Sequence, residues 1–505
     1  MPVNRAGHKA SLVATSWSGI VVLVLLALLY GASTHAQSNG APAHLLLTDQ
    51  FGNAIRVQTN RLPSALLPPG SAGLQHQIPN PAKGTPVPPE IRERIVDSKT
   101  GREWFPVTPP VLMPYLGSLD EFGNTAVQDG ALIPLDPHSM LAQQGKYALS
   151  ELGYRYTLWQ SFTVVSMTGV ASGASALQYY TGTLVSKWAI TELTNAGRAG
   201  WISMEANAQV GLSWPSGLQT PQGNIGSVAN PLATVFGPNG CWLSELAWQQ
   251  SLADGKLVFI GGVVDQSNYL DANTYANNSQ GQFLNSALVN SVVLPLPYNN
   301  AGCNLQWQPN ETWYAMFGIG ANNQPPRTPL LRHLSLHNMS YLSEIGLTLS
   351  NVAGFGPGNY RLQPFVATVE GITQGGIGLN AGQQLGKDSP FAWFGRFGVG
   401  GAQVTLDGAA AQVGTGFAMQ APLKHLGLAP KLSNDYLGAG FVWSRPSAVM
   451  QPAVHQNEYG FETTYVLQLT PLASIQPDLQ IIWNAADNAR ASQNIIFQLQ
   501  VNLTW

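Results

Sequence analysis

The C-terminal segment Asn494-Ile-Ile-Phe-Gln-Leu-Gln-Val-Asn-Leu-Thr-Trp505 decides the fold prediction. Apolar and polar residues alternate along it. The apolar set is Ile495, Phe497, Leu499, Val501, Leu503 and Trp505, and the polar set is Gln498, Gln500, Asn502 and Thr504. Because successive side chains of a β-strand point to opposite faces, the segment predicts a strand with one apolar and one polar face. Strands of this kind separate lipid from a polar lumen in outer-membrane barrels.

The same two-residue period recurs upstream, for example in Tyr341–Ser350 and Tyr459–Leu469. Sixteen segments carry it, centred near residues 160, 183, 206, 247, 261, 306, 316, 346, 365, 380, 396, 416, 439, 464, 479 and 500. An even number of strands is typical of bacterial single-chain barrels. We therefore predict an all-β fold, a transmembrane antiparallel β-barrel of about 16 strands built from residues 151–505.

The lengths of the connections support a barrel with a periplasmic N-terminus. Even-to-odd connections should be short periplasmic turns, as at Ala253–Gly255, and odd-to-even connections should be long extracellular loops, as at Trp214–Gly240 and Gln266–Gly302. Two connections break this pattern. Pro422–Ser433 is long where a turn is expected, and the connection near Gln374 is short. A soluble sandwich or propeller would not be expected to alternate in this way.

The N-terminus carries a targeting pattern. Arg5, His8 and Lys9 precede the apolar run Gly19–Tyr30, and Thr34-His35-Ala36 offers small residues where a signal peptidase requires them. This pattern predicts a secretory signal peptide over residues 1–36, and a membrane anchor is the alternative. Together with the barrel, an export signal indicates the bacterial outer membrane.

Residues 37–150 form a Pro-rich N-terminal extension, predicted to be periplasmic. They contain 15 of the 35 prolines, in runs such as Pro-Val-Pro-Pro-Glu90 and Phe105-Pro-Val-Thr-Pro-Pro. Such runs favour extended or irregular backbone. One interpretation is a flexible leader, and the other is a segment that occludes or docks onto something.

The composition excludes several function classes. Only 10% of residues are charged, against roughly 25% in typical globular domains. The 36 glutamines and 33 asparagines outnumber the 23 basic and 26 acidic residues. A content of 45% hydrophobic residues with a net charge of −3 excludes a disordered chain. Since there is no excess of basic residues to meet phosphates, we expect no nucleic-acid partner.

No motif predicts an enzyme, a cofactor or a metal site. His333 and His337 are four residues apart, but they lie in a predicted outer loop without a nearby acidic ligand. Glu458 and Glu462 lie on the same face of one predicted strand. A glycosidase needs two carboxylates flanking the scissile bond, and acids facing a lumen explain this pair more simply.

A series of motifs resembles one family. The most specific is Glu245-Leu-Ala-Trp-Gln-Gln-Ser-Leu-Ala-Asp-Gly-Lys-Leu257, followed in order by Gln308–Tyr314, Phe394–Gly398, Asp435–Gly438 and Gln468–Pro471. From about residue 141 to the C-terminus the chain resembles the OprB-type carbohydrate-selective outer-membrane porins. The chain departs from that family at three places. Val258, Ile260 and Val263 are apolar where the family often has charged residues. Gln249 stands where the family often has Glu, and Trp505 replaces a final Phe.

The resemblance implies a porin for passive, carbohydrate-selective diffusion of small neutral sugars, with accompanying ion transport. An alternative is a structural or secretion-associated barrel whose pore is occluded by the N-terminal extension. The expected partners are outer-membrane lipid, small neutral saccharides and the outer-membrane assembly machinery. A homo-oligomer is left open.

Strand parity and the resemblance select the candidate site residues. The predicted pore-lining charges are Arg155, Glu205, Glu245, Glu344, Arg396, Glu458 and Glu462. The loop Gln266–Gly302 contains the family's Phe-Leu-Asn-Ser element, and we expect Phe283, Asn285 and Ser286 to narrow the pore. The resemblance also implies that Trp505 is a signal for the assembly machinery.

The two cysteines, Cys241 and Cys303, both follow long predicted loops at the outer rim. They lie on predicted strands 4 and 6, whose axes are about 10 Å apart. A disulfide needs Cα atoms within about 7 Å, so the loop ends would have to lean together. The exported compartment permits a bridge, and two free thiols are the alternative.

Overall fold

The computed structural model describes most of the chain from Tyr154 onward and a few short pieces before it. The described residues are 44–48, 54–58, 95–96, 103–104, 132, 149, 154–190, 200–213, 219–235, 239–253, 256–297, 299–310, 312–322, 335, 337–369, 371–387, 389–401, 408–430, 432, 434–447, 453–470 and 472–505. The predicted signal peptide and most of the Pro-rich extension lie outside these residues.

Sixteen antiparallel strands build the main body. They are β1 (Tyr154–Met167), β2 (Ala176–Ala189), β3 (Gly200–Gly211), β4 (Gly240–Leu252), β5 (Leu257–Val264), β6 (Asn300–Trp307), β7 (Trp313–Ala321), β8 (Met339–Leu349), β9 (Gly358–Val369), β10 (Ile372–Gln384), β11 (Phe391–Gly400), β12 (Ala409–Gln420), β13 (Tyr436–Pro446), β14 (Glu458–Thr470), β15 (Ala473–Trp483) and β16 (Gln493–Thr504). Each predicted segment centre falls within one of them, which confirms the predicted fold class.

The sheet is closed. Each strand pairs with the next, and β16 pairs with β1 in a register that runs from Ile496 opposite Met167 to Thr504 opposite Trp159. Closure leaves no unpaired strand edge, so the backbone hydrogen-bonding groups are satisfied within the protein. Only helices and closed barrels meet this requirement in a bilayer.

The two faces of the wall differ as the alternating pattern predicts. On β16, Phe497 and Leu499 are 51% and 38% exposed on the outside, whereas Gln498 and Gln500 are 0% exposed on the inside. Exposed apolar side chains continue around the outer surface, and examples are Val164, Phe259, Phe317, Ile345, Phe397, Val413 and Phe441. The outer surface is therefore suited to lipid.

Most connections follow the predicted alternation, and both predicted exceptions are present. A further exception is the connection 190–199 between β2 and β3, which is longer than a short turn. Between β9 and β10 only residues 370–371 intervene, and Gly371 adopts a φ of 81°, as a two-residue hairpin requires. Between β12 and β13 the longer connection 421–435 contains the short helix α3 (Pro422–His425). None of the helices in the described residues is long and apolar enough to cross a membrane.

Two long loops fold into the barrel. Residues 212–239, with helix α1 (Pro221–Ile225), join β3 to β4. Residues 265–299, with a 3₁₀ turn at Gln266–Asn268 and helix α2 (Ser286–Val289), join β5 to β6. Buried apolar residues of both loops pack against the inner wall, among them Ile225, Leu232, Phe283, Leu288 and Val293. The hydrophobic core of the molecule thus lies inside the barrel.

A disulfide between Cys241 and Cys303 was left open by the sequence, and the structure contradicts it. Both thiols are free. Cys303 in β6 pairs with Gly261 in β5, which pairs with Trp248 in β4. Cys241 lies seven residues further along β4, roughly 20 Å away at about 3.3 Å per residue. The stagger of the barrel strands therefore separates two residues that lie on nearby strands.

Candidate functional site

The inner face of the barrel carries the charged side chains selected by parity. Glu205, Glu245, Glu344, Glu458 and Glu462 all lie inside, and each is 1–9% exposed. Arg396 also lies inside and is 3% exposed. The backbone of Arg155 belongs to β1, but its side chain lies outside the described residues. That these groups line the solute path stays a prediction, because each described one has a partner within the protein.

Glu462 of β14 holds the Phe-Leu-Asn-Ser element. One carboxylate oxygen accepts from the backbone N–H of Leu284 at 2.6 Å, and the other accepts from the N–H of Asn285 at 3.0 Å. Hydrogen bonds to a charged acceptor are stronger than neutral ones. This carboxylate therefore fixes the middle of loop 265–299 against the wall.

Glu458, four residues earlier on the same face of β14, holds the other inward loop. It accepts from the Ser227 hydroxyl at 2.7 Å and from the Val228 N–H at 2.8 Å. A third donor is the N–H of Ala486, at 3.0 Å, in the loop between β15 and β16. One buried carboxylate thus joins two outer loops inside the barrel mouth.

Glu205 and Glu245 lie directly opposite each other on β3 and β4, beside a register shift. Asn268 donates to Glu205 at 2.7 Å, and the Tyr269 hydroxyl donates to Glu245 at 2.7 Å. Both donors belong to the first turn of loop 265–299. Nearby, burial and the Glu205 carboxylate raise the pKa of Asp265.

Two arginines and two acids form a linked set across the inner wall. Arg396 Nε lies 3.3 Å from Asp271 Oδ2, and Arg361 Nε lies 3.4 Å from Glu344 Oε1. The backbone N–H of Asp271 donates to Glu344 at 3.0 Å, which joins the two pairs. Inward charges of opposite sign are thus neutralised within the protein.

Asp271 and Arg361 were not predicted from the sequence. Arg361 could have been predicted, because it lies two residues from Asn359 and from Gln363 and shares the polar face of β9 with them. Asp271 lies in a loop with a left-handed backbone, φ 65°, and no periodic pattern marks it.

Side-chain amides of the inner wall donate hydrogen bonds to backbone carbonyls of the two inward loops. Gln476 donates to the carbonyl of Gln282 at 2.6 Å, and Gln500 donates to that of Ser279 at 3.0 Å. Further donors of this kind are Asn502 to the carbonyl of Gln280 and both Gln480 and Gln498 to that of Pro231. Part of the unusual amide content therefore has a structural use.

The predicted constriction residues lie within the inward loop. Phe283 and Asn285 are buried, and Asn285 caps α2 by accepting from the Ala287 N–H at 3.0 Å. Ser286 is half-buried and accepts from the Asn230 N–H at 2.9 Å, which ties the two inward loops together. The side of the loop that reaches solvent is formed by other residues, including Thr274 and Gln280.

Trp505 lies at the seam where the barrel closes. Its N–H donates to the carbonyl of Leu158, and its carbonyl accepts from the Leu158 N–H, both at 2.9 Å. The C-terminal residue therefore extends the β16–β1 ladder by one more pair.

Comparison with known proteins gives a family match for the C-terminal part of the chain. Residues 360–505 match the family model described as "Carbohydrate-selective porin, OprB family". The C-terminal part of the barrel is thus similar to this family. The matched region covers β9 through β16, apart from the first two residues of β9, and includes Arg396, Glu458, Glu462 and Trp505.

A structural relative and a sequence relative were also found. The high-pH structure of Pseudomonas putida OprB matches with a TM-score of 0.60 and 13% identity over 74% of this chain and 99% of that chain. Its low-pH structure matches with a TM-score of 0.43 and 14% identity over 71% of this chain and 94% of that one. An uncharacterized protein of Aquifex aeolicus (strain VF5) is 39% identical over 80 residues, 16% of this chain and 26% of the relative. That match spans about a quarter of the relative's length.

The family match and the closed barrel confirm the predicted class and location. The C-terminal part of the chain is similar to this porin family, and the closed 16-strand barrel is the architecture of a bacterial outer-membrane protein.

Proposed function

We propose that this OprB-family barrel admits small neutral sugars by passive diffusion. The observation that carries the proposal is the internal pairing of the lumen charges, Arg396 with Asp271 and Arg361 with Glu344. A ring of unpaired charges of one sign would select ions. Pairing weakens the field that a neutral solute meets and leaves hydrogen bonding as the main interaction.

Uncharged polar side chains also reach solvent on the inner side of the barrel. Thr183, Asn268 and Gln280 are half-buried and offer hydroxyl or amide groups. Such groups replace the water that sugar hydroxyls give up on entering a narrow passage. The inward carboxylates act mainly as loop anchors in this proposal, and they influence the solute through the shape of the passage.

Planar-bilayer recording tests the proposal. We expect the purified barrel to conduct ions in steps and neutral mono- or disaccharides to reduce that current reversibly. Gluconate, an anion of similar size to glucose, should enter less readily than glucose. A pore that passes current but shows no response to any neutral sugar would contradict sugar selectivity.

The second candidate is an occluded barrel with a structural or secretion-linked role. Two observations favour it. Both inward loops pack tightly against the inner wall, and Leu132 of the N-terminal extension donates its N–H to the carbonyl of Gln468 at the periplasmic end of β14. An occluded barrel would show no stepwise current, and deletion of the extension, residues 37–150, would then restore it.

Further parts of the proposal concern organisation and partners. We propose that residues 1–36 are a signal peptide and that residues 37–150 form a periplasmic extension. Outer-membrane lipid covers the apolar outer face, and the assembly machinery recognises the strand that ends at Trp505. The proposed diffusion requires neither a cofactor nor a metal. Sedimentation of the detergent-solubilised protein would determine the oligomeric state.

A further inference from the structure

The Phe283 ring of the inward loop occupies a slot in the barrel wall. Its centroid lies 5.2 Å from that of Phe394 on β11 and 6.1 Å from that of Tyr436 on β13. Gly438, two residues after Tyr436 on the same face, completes the slot. A Cβ atom at Gly438 would lie 2.7 Å from Phe283 Cζ and 2.9 Å from Tyr436 Cε1. The ring reaches the wall only because residue 438 has no side chain.

We propose that Gly438 is a positioning residue that sets the bore of the pore by admitting the Phe283 ring. The proposal rests on the proposed function, because it identifies what fixes the size limit for the diffusing solute. Gly438 touches no solute. It acts through loop 265–299, whose Phe283 side chain is fully buried against it.

A side chain at position 438 would displace the loop toward the open lumen. The ring is rigid, so a carbon at 2.7 Å must retreat to ordinary van der Waals contact, 3.4 Å or more. The next two residues cannot yield easily, since Glu462 holds the N–H groups of Leu284 and Asn285. The displacement therefore passes to residues 278–282, which are half-buried on the side of the loop that solvent reaches.

Neighbouring glycines of the inner wall seat the loop in the same way. A Cβ at Gly440 would lie 2.8 Å from Leu288 Cδ1, and one at Gly398 would lie 2.9 Å from Val293 Cβ. Gly414 on β12 differs, because its nearest neighbour there is the carbonyl oxygen of Ala287 at 3.5 Å, an ordinary contact. Gly414 is thus a matched inward-facing control with room for a methyl group.

The test compares Gly438→Ala and Gly438→Val with Gly414→Ala in the full-length protein. Ion conductance in bilayers and liposome swelling with arabinose, glucose and maltose are measured relative to wild type. Since lumen substitutions tune what a barrel admits, we expect the Val variant to lower conductance by about twofold. The loss in swelling should increase with sugar size. Gly414→Ala should behave as wild type. The double variant Gly438→Ala/Phe283→Leu should regain the wild-type conductance and swelling rates.

A correctly assembled Gly438→Val pore with the wild-type conductance and size profile, or with a larger conductance, would overturn the proposal. Should the Gly438 variants fail to assemble, Phe283→Leu alone provides the test. It removes the ring end that meets Gly438, so the loop can lie closer to the wall, and relative maltose entry should rise. No change there would also overturn the proposal. If wild type admits no sugar, the proposed function fails, while the conductance ratios still decide the role of Gly438.

Discussion

Arg396 on the barrel wall and Asp271 in the inward loop form a buried ion pair, with 3.3 Å between Nε and Oδ2 and side chains that are 1% and 0% exposed. Arg396 also donates from Nη1 to the carbonyl of Leu288 at 2.6 Å. One side chain of β11 thus contacts loop 265–299 at two places that are distant in sequence. This contact and the Glu462 anchor hold the loop across the lumen.

Replacement of Arg396 by Met should destabilise the barrel. Removal of one partner of a buried ion pair leaves the other charge uncompensated, which typically costs about 3–5 kcal/mol. The midpoint of heat-dependent mobility on gels should therefore fall. Arg445, exposed on the outside of β13, supplies the control, and Arg445→Met should leave the midpoint nearly unchanged. Equal midpoints for the two variants would argue against a structural role for the Arg396–Asp271 pair.

Glu458→Gln should loosen loop 212–239. The carboxylate accepts from Ser227, Val228 and Ala486, whereas an amide offers one acceptor oxygen and turns an NH₂ group toward the remaining donors. A buried donor left without an acceptor costs about 1–3 kcal/mol. Limited proteolysis of the folded protein should cut within residues 212–239 of the variant before any other site. Resistance equal to that of wild type would refute this anchor.

The lumen should prefer cations weakly at low salt. Acids outnumber bases among its buried side chains. Asp271 and Glu344 pair with Arg396 and Arg361, and Lys187 is a third described base, whereas Glu205, Glu245, Glu458 and Glu462 add four further acids. Since the Debye length is about 10 Å at 0.1 M salt and shorter above it, the preference should fade as salt rises. Reversal potentials measure it. Glu245→Gln should lower the preference and leave neutral-sugar flux nearly unchanged, and a wild-type pore selective for anions would contradict the prediction.

Both cysteines should react as free thiols. Cys241 is exposed and Cys303 is half-buried, and the strand register places them roughly 20 Å apart at about 3.3 Å per residue. Alkylation of unreduced protein followed by mass spectrometry should give two modified cysteines, with Cys241 modified first. A species that resists alkylation until it is reduced would show that the register around β4–β6 is wrong.

Loss of Trp505 should reduce the outer-membrane yield. The residue contributes two backbone hydrogen bonds to Leu158 at the barrel seam, and its ring ends the last strand. Deletion removes both features, whereas Trp505→Phe keeps both. Heat-modifiable barrel in outer-membrane fractions is the readout. We expect a loss for the deletion and near-normal yield for the Phe variant, and a normal yield from the deletion would exclude an assembly role.

Strand positions and side-chain faces could be predicted because both follow from local periodicity. The alternation of Phe497 and Leu499 with Gln498 and Gln500 is readable in the chain, and the structure has the same faces. The short connection at Gly371 could also be predicted, because the periodic segments on either side of it lie close together in the sequence. A pattern of period two fixes which side chains face inward without any knowledge of distant contacts.

The internal partners could not be predicted, because they depend on how far each loop enters the barrel. Nothing near Glu462 in the sequence indicates that it binds the N–H groups of Leu284 and Asn285. The Cys241–Cys303 separation depends on strand stagger, which periodicity does not encode. The sequence does contain one signal for these contacts: glycines recur two residues apart on β10–β13, and Gly438 is among those that face the inward loop.

Liposome swelling with the wild-type protein tests the central claim most directly. Vesicles that contain the purified barrel are diluted into isosmotic arabinose, glucose, maltose or a larger oligosaccharide, and the rate of light-scattering loss is recorded. We predict rapid swelling in the monosaccharides, slower swelling in maltose and none in the largest sugar. Vesicles with correctly folded, heat-modifiable barrel that swell no faster in glucose than protein-free vesicles would contradict it.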